Sequence, residues 1–373
     1  MVVWGGYQVS EPHSEKYCPS HELWIYNSLV RQWKCYKTRG EVPQGRSGSI
    51  AHMIDHYFYV HGGHTESGNT NSIYRLDMQT LTWQKLLTNH QELLPSPRDK
   101  QASWLYKNKI YCFGGHGPAI EDYLCNSGEY VKDHSSGTTY PRGWNNQLLI
   151  FDTETGQWSN PKCSGQIPSP RAAHAATRIG STVYVFGGRH LQMRTNDLHS
   201  LDLETNAWTK LETNSKPPCG RSWSSFTAVS PTRILLCGGF TQDNRPLTDL
   251  WLLNVPNLQW QRLPQRLSMP RLWHSCCVTR DEDILIFGGC CSNILDYERE
   301  AVHTNEVLCL RVNPKSLVRL CVECLVANSK QTKSEWKYLP EALFKLVTLN
   351  EESSNMEQNT NSGFADLNIM TTY

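Results

Sequence analysis

No apolar stretch in this 373-residue sequence approaches the roughly 18 residues that a membrane-spanning helix needs. No run of Lys or Arg stands out, and 36 basic against 35 acidic residues leave a formal charge of +1. That balance excludes the basic footprint of a nucleic-acid or anionic-membrane binder. Residues 1–6 hold neither a basic segment nor a long apolar core, so no secretory signal is expected there. Asn-X-Ser/Thr acceptors are absent throughout. Cysteine is not scarce, at 14 residues, but it is spread through a chain too large to need staples. The vicinal pairs Cys276-Cys277 and Cys290-Cys291 read as buried free thiols. A reducing intracellular compartment is therefore expected.

What is present is a repeat. Glycine doublets stand at Gly5-Gly6, Gly62-Gly63, Gly114-Gly115, Gly187-Gly188, Gly238-Gly239 and Gly288-Gly289, at spacings of 57, 52, 73, 51 and 50 residues. Most end an apolar, strand-like run, as in Tyr57-Phe58-Tyr59-Val60 and Val183-Tyr184-Val185-Phe186. An arginine precedes five of them by 16 or 17 residues, at Arg46, Arg98, Arg171, Arg221 and Arg271. After the doublets come further apolar runs, each leading through a turn to a tryptophan: Trp33, Trp83, Trp158, Trp208 and Trp260. Each unit thus supplies four short strands. A single four-stranded sheet cannot cover both its faces, so the units must stack, and a radial stack buries the tryptophans between neighbours.

Three features in register resemble the kelch repeat over roughly residues 4 to 312. The resemblance implies an all-β, six-bladed kelch β-propeller. No arginine-bearing strand precedes Gly5-Gly6, so the first blade is expected to lack its innermost strand in this chain. The sixth unit has no terminal tryptophan.

In this strand order, residues just after each doublet converge with the arginine-bearing strand starts around the mouth of the central channel. That face gathers Tyr7, His64, His116, Arg189 and Phe240 with Lys100, Ser222-Trp223 and Leu272-Trp273. The loop from His116 to Asn146 is long, and the loop after the fourth doublet carries both Arg189 and Arg194. Long loops on a rigid scaffold are where binding surfaces usually lie. Two readings stay open from the residues alone. The guanidinium groups and the Ser222 hydroxyl form a carboxylate clamp, or the arginines pair with acids such as Asp197 while Trp223 and Trp273 pack on neighbouring blades. The five repeat arginines, recurring in every unit, are expected to be structural, and His174 and His274 are expected in the core or channel.

Beyond the propeller, Pro314 and Ser316 signal a helix start. Leu317, Leu320, Cys321, Cys324 and Leu325 then fall on one helical face. A second amphipathic piece runs from Leu339-Pro340 through Leu346-Val347. Residues 313–349 are read as this helical segment and 350–373 as a disordered acidic tail. Ser316-Leu317-x-x-x-Cys321-x-x-x-Leu325 resembles an elongin-binding box, and Leu339-Pro340-Glu341-Ala342-Leu343 resembles a cullin-2 box. Cys321 and Cys324 have no second ligand pair at zinc spacing, and no metal or cofactor is expected.

Propeller and boxes together resemble the kelch-domain-containing substrate receptors of cullin-2 RING ubiquitin ligases. The resemblance implies a non-catalytic receptor that binds protein C-termini ending in glycine. Its partners would be elongin B/C, cullin-2 and the RING subunit, with no nucleic acid or membrane. Carried over by residue, it assigns the terminal carboxylate to Arg189, Arg194 and Ser222. It assigns the pocket wall to Trp223, Trp144, Asn146, Lys100 and Tyr7, with His116 where the family has tyrosine. Adaptor binding falls to Leu317, Cys321, Leu325, Leu339 and Pro340. A kelch scaffold for actin or a transcription factor, and a metal-dependent kelch enzyme, are the rival readings.

Overall fold

The computed structural model describes residues 1–11, 14–28, 31–87, 94–118, 129–134, 142–279, 281–296, 298, 300–357 and 366–368. Six antiparallel sheets form the blades of the expected propeller. Blade 3, for example, runs Ala102–Tyr106, Lys109–Phe113, Leu148–Asp152 and Trp158–Ser159 from the inside out. Blades 2 and 4 gain a fifth, parallel outer strand from Arg39–Gly40 and Ser164–Gly165. The first blade is three-stranded, Val2–Val3 against Glu22–Asn27 against Gln32–Lys37. No helix of the described residues is long and apolar enough to cross a membrane.

The repeat residues explain why the blades stack. Each tryptophan of an outer strand packs on the residue that precedes the doublet of the blade before it. Trp158 lies against His61 with ring centroids 4.6 Å apart, Trp208 against Phe113 at 4.7 Å, and Trp260 against Phe186 at 5.2 Å. Trp83 meets Trp4 at 5.2 Å, and Trp33 meets Phe287 at 4.9 Å, which closes the ring from blade 6 back to blade 1. Before the fifth doublet stands the smaller Cys237, fully buried, and it faces the one blade without such a tryptophan. Large meets large at the other junctions, and here an aliphatic cluster of Leu252, Leu263, Ile284 and Leu308 fills the gap.

The five repeat arginines are almost completely buried. Their Nη1 atoms donate to the first carbonyl of their own doublet: Arg46 to Gly62 at 3.1 Å, Arg171 to Gly187 at 3.0 Å and Arg221 to Gly238 at 2.9 Å. Their own carbonyls in turn accept from the second glycine of the preceding blade, as in Gly63 N to Arg98 O at 2.9 Å and Gly239 N to Arg271 O at 2.8 Å. Only glycine fits there: a Cβ at Gly63 (φ +100) would sit 2.8 Å from the Ser47 carbonyl. One arginine thus ties two blades.

Arg171 also grips Asp197 through two hydrogen bonds of 2.8 and 2.7 Å. Burial alone would raise the Asp197 pKa, but the bonds to and charge of Arg171 outweigh it and hold the carboxyl at about 2. A carboxyl depressed on folding stabilises the protein above its unfolded pKa of about 4, and that stability is lost as pH falls through about 2. Asp197→Asn is therefore expected to cost about 2 kcal/mol at pH 7 and almost nothing at pH 2, measured by denaturant unfolding at both.

After the propeller, α1 (Leu317–Ala327), a single turn α2 (Ser329–Thr332) and α3 (Glu341–Glu357) form a small module around Val322, Trp336 and Val347. Ser316 caps α1, its hydroxyl accepting from Arg319 N at 3.2 Å. The module is pinned to blade 6 by Asp283, which pairs with Arg311 at 3.0 Å and Arg319 at 2.9 Å. The expectation of a structureless tail from residue 350 needs correction. Helix α3 continues through Glu357, carried by the module's core and by a Lys333–Glu351 pair at 2.7 Å. Asp366–Asn368 lie parallel to Val307–Arg311 on the outside of blade 6. The remainder of 350–373 is outside the described residues.

Candidate functional site

The mouth of the channel is shaped by a ring of strained backbone. Two residues after each repeat arginine the chain turns left-handed, at Gly48 (φ 64), Lys100 (φ 55), Ala173 (φ 56), Trp223 (φ 59) and Trp273 (φ 62). For non-glycine residues this conformation costs about 1 kcal/mol or more. Neighbouring blades hold them in it. Lys100 N donates to Gly48 O at 3.0 Å, Ala173 to Lys100 at 2.8 Å, Trp223 to Ala173 at 2.9 Å and Trp273 to Trp223 at 3.3 Å.

Beside Trp223 the strands Thr182–His190 and Met193–Asp202 of blade 4 run past the doublet into a hairpin. Its register places Arg189 directly opposite Arg194. Like charges facing each other across an antiparallel pair are destabilising, and no carboxylate relieves them: among the described residues neither arginine has an ion-pair partner. Asp197 belongs to Arg171 instead, so the acid-paired alternative does not hold. Arg194 Nε donates to the fully buried Ser222 Oγ at 3.0 Å. The same guanidinium lies 4.7 Å over the Phe240 ring and 5.7 Å from Trp223. Burial, and then the neighbouring charge of Arg189, lowers the Arg194 pKa to about 10. It stays charged at neutral pH, in a place that disfavours charge. Arg189 lies 5.7 Å over Trp144 and donates to Leu191 O at 3.0 Å. Two cations, one hydroxyl and three aromatic rings meet there, chemistry that a small anion would pair with.

The other expected site residues divide. Trp144 is 2% exposed, so it forms the floor beneath Arg189 and His116 rather than an open wall. His116 stands 3.3 Å from Asp133, and burial, then the charge of Lys100, lowers its pKa to about 4, leaving it neutral. Lys100 pairs with Asp99 at 2.8 Å. Asn146 commits its amide to the scaffold, accepting from Glu129 N at 2.7 Å and donating to Pro168 O at 3.0 Å. Its placement in the wall is corrected to an anchor of the long loop, whose described parts form a three-stranded sheet with the strand Arg142–Asn145 at its centre. Tyr7 lies edge-on to Tyr17, whose hydroxyl meets His64 Nδ1 at 2.8 Å. These belong to the blade 1 and 2 side, across the ring from Arg194.

In the helical module, Leu317 is 80% exposed. Cys321 and Pro340 are exposed too, while Leu325 and Leu339 turn inward on Val322, Trp336 and Val347. The exposed face of α1 is continued by Val318 and Leu320, with Tyr338 and Phe344 exposed nearby in sequence. Phe240 and Gln242, to which the sequence pattern assigns no binding role, touch Arg194 directly. Among the described residues no group of three or more His, Cys, Asp or Glu is placed to hold a metal ion.

Comparison with known proteins agrees with this architecture. Residues 1–136 and 135–289 match the KLHDC2/KLHL20/DRC7 Kelch-repeats domain. The chain is 41% identical to Kelch domain-containing protein 2 of Homo sapiens over 95% of its own length and 88% of the relative's. It is 37% identical to Kelch domain-containing protein 1 of Mus musculus over 93% of its length and 86% of the relative's. A 29% match to Acyl-CoA-binding domain-containing protein 4 of Arabidopsis thaliana covers 70% of this chain and 37% of that protein. With its blades, doublets and mouth residues in place, the chain belongs to the kelch-repeat family of Kelch domain-containing protein 2.

Proposed function

We propose that this protein is the substrate receptor of a cullin-2 RING ubiquitin ligase and that it captures target proteins by a C-terminal glycine. The observation that carries the reading is the facing pair Arg189 and Arg194, two guanidinium groups at the mouth that have no ion-pair partner among the described residues. A free C-terminus supplies that carboxylate, and Ser222 adds a hydroxyl beside it. Glycine has no Cβ, so its backbone can approach a site walled by Trp223, with Phe240 buried beneath, that a larger residue would foul.

The rest of the machine would attach at the helical module. A projecting apolar strip on α1 suits a helix-in-groove contact with elongin C. Leu317 and Cys321 present that strip, whereas Leu325 and Leu339 keep the module folded. Cullin choice then falls to the exposed turn at Pro340. Purifying the intact protein from cells and identifying its companions by mass spectrometry tests the whole reading. Elongin B/C, cullin-2 and proteins ending in glycine are the expected companions. Pro340→Ala is expected to lose cullin-2 and keep elongin B/C, and cullin-5 in place of cullin-2 in the wild-type complex would refute the box assignment.

A further inference from the structure

The hairpin that carries the two arginines is a two-stranded projection, and such ribbons are marginally stable alone. Its tip is the turn at Leu191 and Gln192, with Leu191 left-handed at φ 54. Both tip residues are exposed, and the facing arginines repel each other across the pair. A mobile hairpin would deliver neither guanidinium to a fixed point, yet the position of Arg194 is fixed on three sides. Part of this comes from blade 5. Phe240 lies under the guanidinium, and its strand pairs with Ser222.

The third support is Gln242, just past the fifth doublet. Its Oε1 accepts from the backbone N–H of Arg194 at 2.8 Å, and its Nε2 donates to the carbonyl of Gln192 at 2.8 Å. One carboxamide therefore satisfies a donor and an acceptor of the opposite hairpin across the boundary between blades 4 and 5. Gln192 in turn accepts from Arg189 Nη2 at 3.3 Å. The chain of contacts runs from blade 5 through Gln242 to the backbone of Arg194 and of the turn residue Gln192, and from the Gln192 side chain to Arg189.

We infer that Gln242 is a positioning residue that splints the two-arginine hairpin and holds Arg194 ready for the ligand's carboxylate. This rests on the C-terminus reading above. The residue does not need to touch the ligand. It lowers the cost of ordering that binding would otherwise meet. A carboxamide accepts at its oxygen and donates at its nitrogen, which is what these two backbone groups require. Glutamate at 242 keeps the acceptor, loses the donor, and sets a carboxylate beside Arg194 that competes with the ligand.

The test uses the full-length protein and two peptides of one sequence ending in Gly-Gly, one a free acid and one amidated. Gln242→Ala is expected to weaken the free acid about tenfold, as loss of two hydrogen bonds would, and to leave the amide unchanged. Gln242→Glu is expected to weaken the free acid further still. Equal loss for both peptides would show a merely structural role and overturn the inference. Hydrogen exchange at the Arg194 amide gives a readout that needs no ligand. Faster exchange in Gln242→Ala supports the splint even if the wild-type protein binds acid and amide alike, a result that would instead defeat the C-terminus reading. Unchanged exchange removes the splint.

Discussion

A peptide ending in Gly-Gly is expected to lose most of its affinity when its terminal carboxylate is amidated. Amidation removes the charge and barely alters the shape, so the change isolates what the two guanidinium groups contribute. Losing one side of a buried charge-assisted pair costs on the order of 2–5 kcal/mol, roughly 30-fold to several thousand-fold in affinity. Arg194→Ala is expected to fall in that range for the free acid, since Arg194 is the more enclosed of the two and stands on Phe240 and Ser222. Arg189→Ala is expected to fall at the lower end. The facing arginines repel each other across the hairpin, and an anion relieves that repulsion. Arg46→Ala is the control: this buried arginine holds Gln44 and Gly62 within blade 2 and acts through stability alone. Appending one alanine after the terminal glycine should also block binding. With Arg194 titrating at about 10 and a terminal carboxyl near 3.5, affinity should be flat between about pH 5 and 8. Equal binding of free-acid, amidated and alanine-extended peptides by isothermal titration would leave only a generic kelch scaffold.

The double substitution Leu317→Ala with Cys321→Ala is expected to abolish binding of elongin B/C while the propeller keeps its melting temperature. Both side chains are exposed in the free chain, so neither supports the fold. Cutting back a Leu that fills a partner's groove removes apolar burial worth about 1.5–3 kcal/mol, and the thiol adds to it. Leu325 is unsuited to the same test, because it packs in the module's own core and its loss would unfold what it is meant to probe. Co-purification of elongin B/C with the double variant at wild-type yield would show that α1 is not the adaptor contact.

The fold was legible because its determinants repeat. A glycine doublet, an arginine 16 or 17 residues before it and a tryptophan after it recur in phase. Each has a physical role that recurs with it, since the doublet turns the chain, the arginine ties blades and the tryptophan fills the seam. Helix α1 was legible from its period and its Ser316 cap. What repeats does not specify what differs, and the site is built from differences. Gln242 sits in an exposed turn with no pattern to mark it, and its partner is 48 residues away in sequence. Family resemblance makes Asn146 a wall residue, whereas a backbone group of its own long loop and one of the following loop claim its amide. The short parallel strands that widen blades 2 and 4 are two residues each, too brief to carry an alternation. Helix α3 outran its expected end because Val347 packs in the module's core and Glu351 pairs with Lys333, which carries the helix past residue 350.

The backbone ring at the mouth also has two ends. Four links join Gly48 to Trp273 through blades 2 to 6, and the first blade, with three strands, offers no counterpart among the described residues. Blades 6 and 1 instead meet through Trp33, Phe287, Tyr26 and Val307, contacts that have no preferred direction. Around the mouth the described blades are thus held in two ways, by directional backbone links from blade 2 to blade 6 and by side-chain packing where blade 6 meets blade 1. The two-arginine hairpin lies in the linked part of that ring, between blades 4 and 5, where spacing is set by hydrogen-bond geometry rather than by packing.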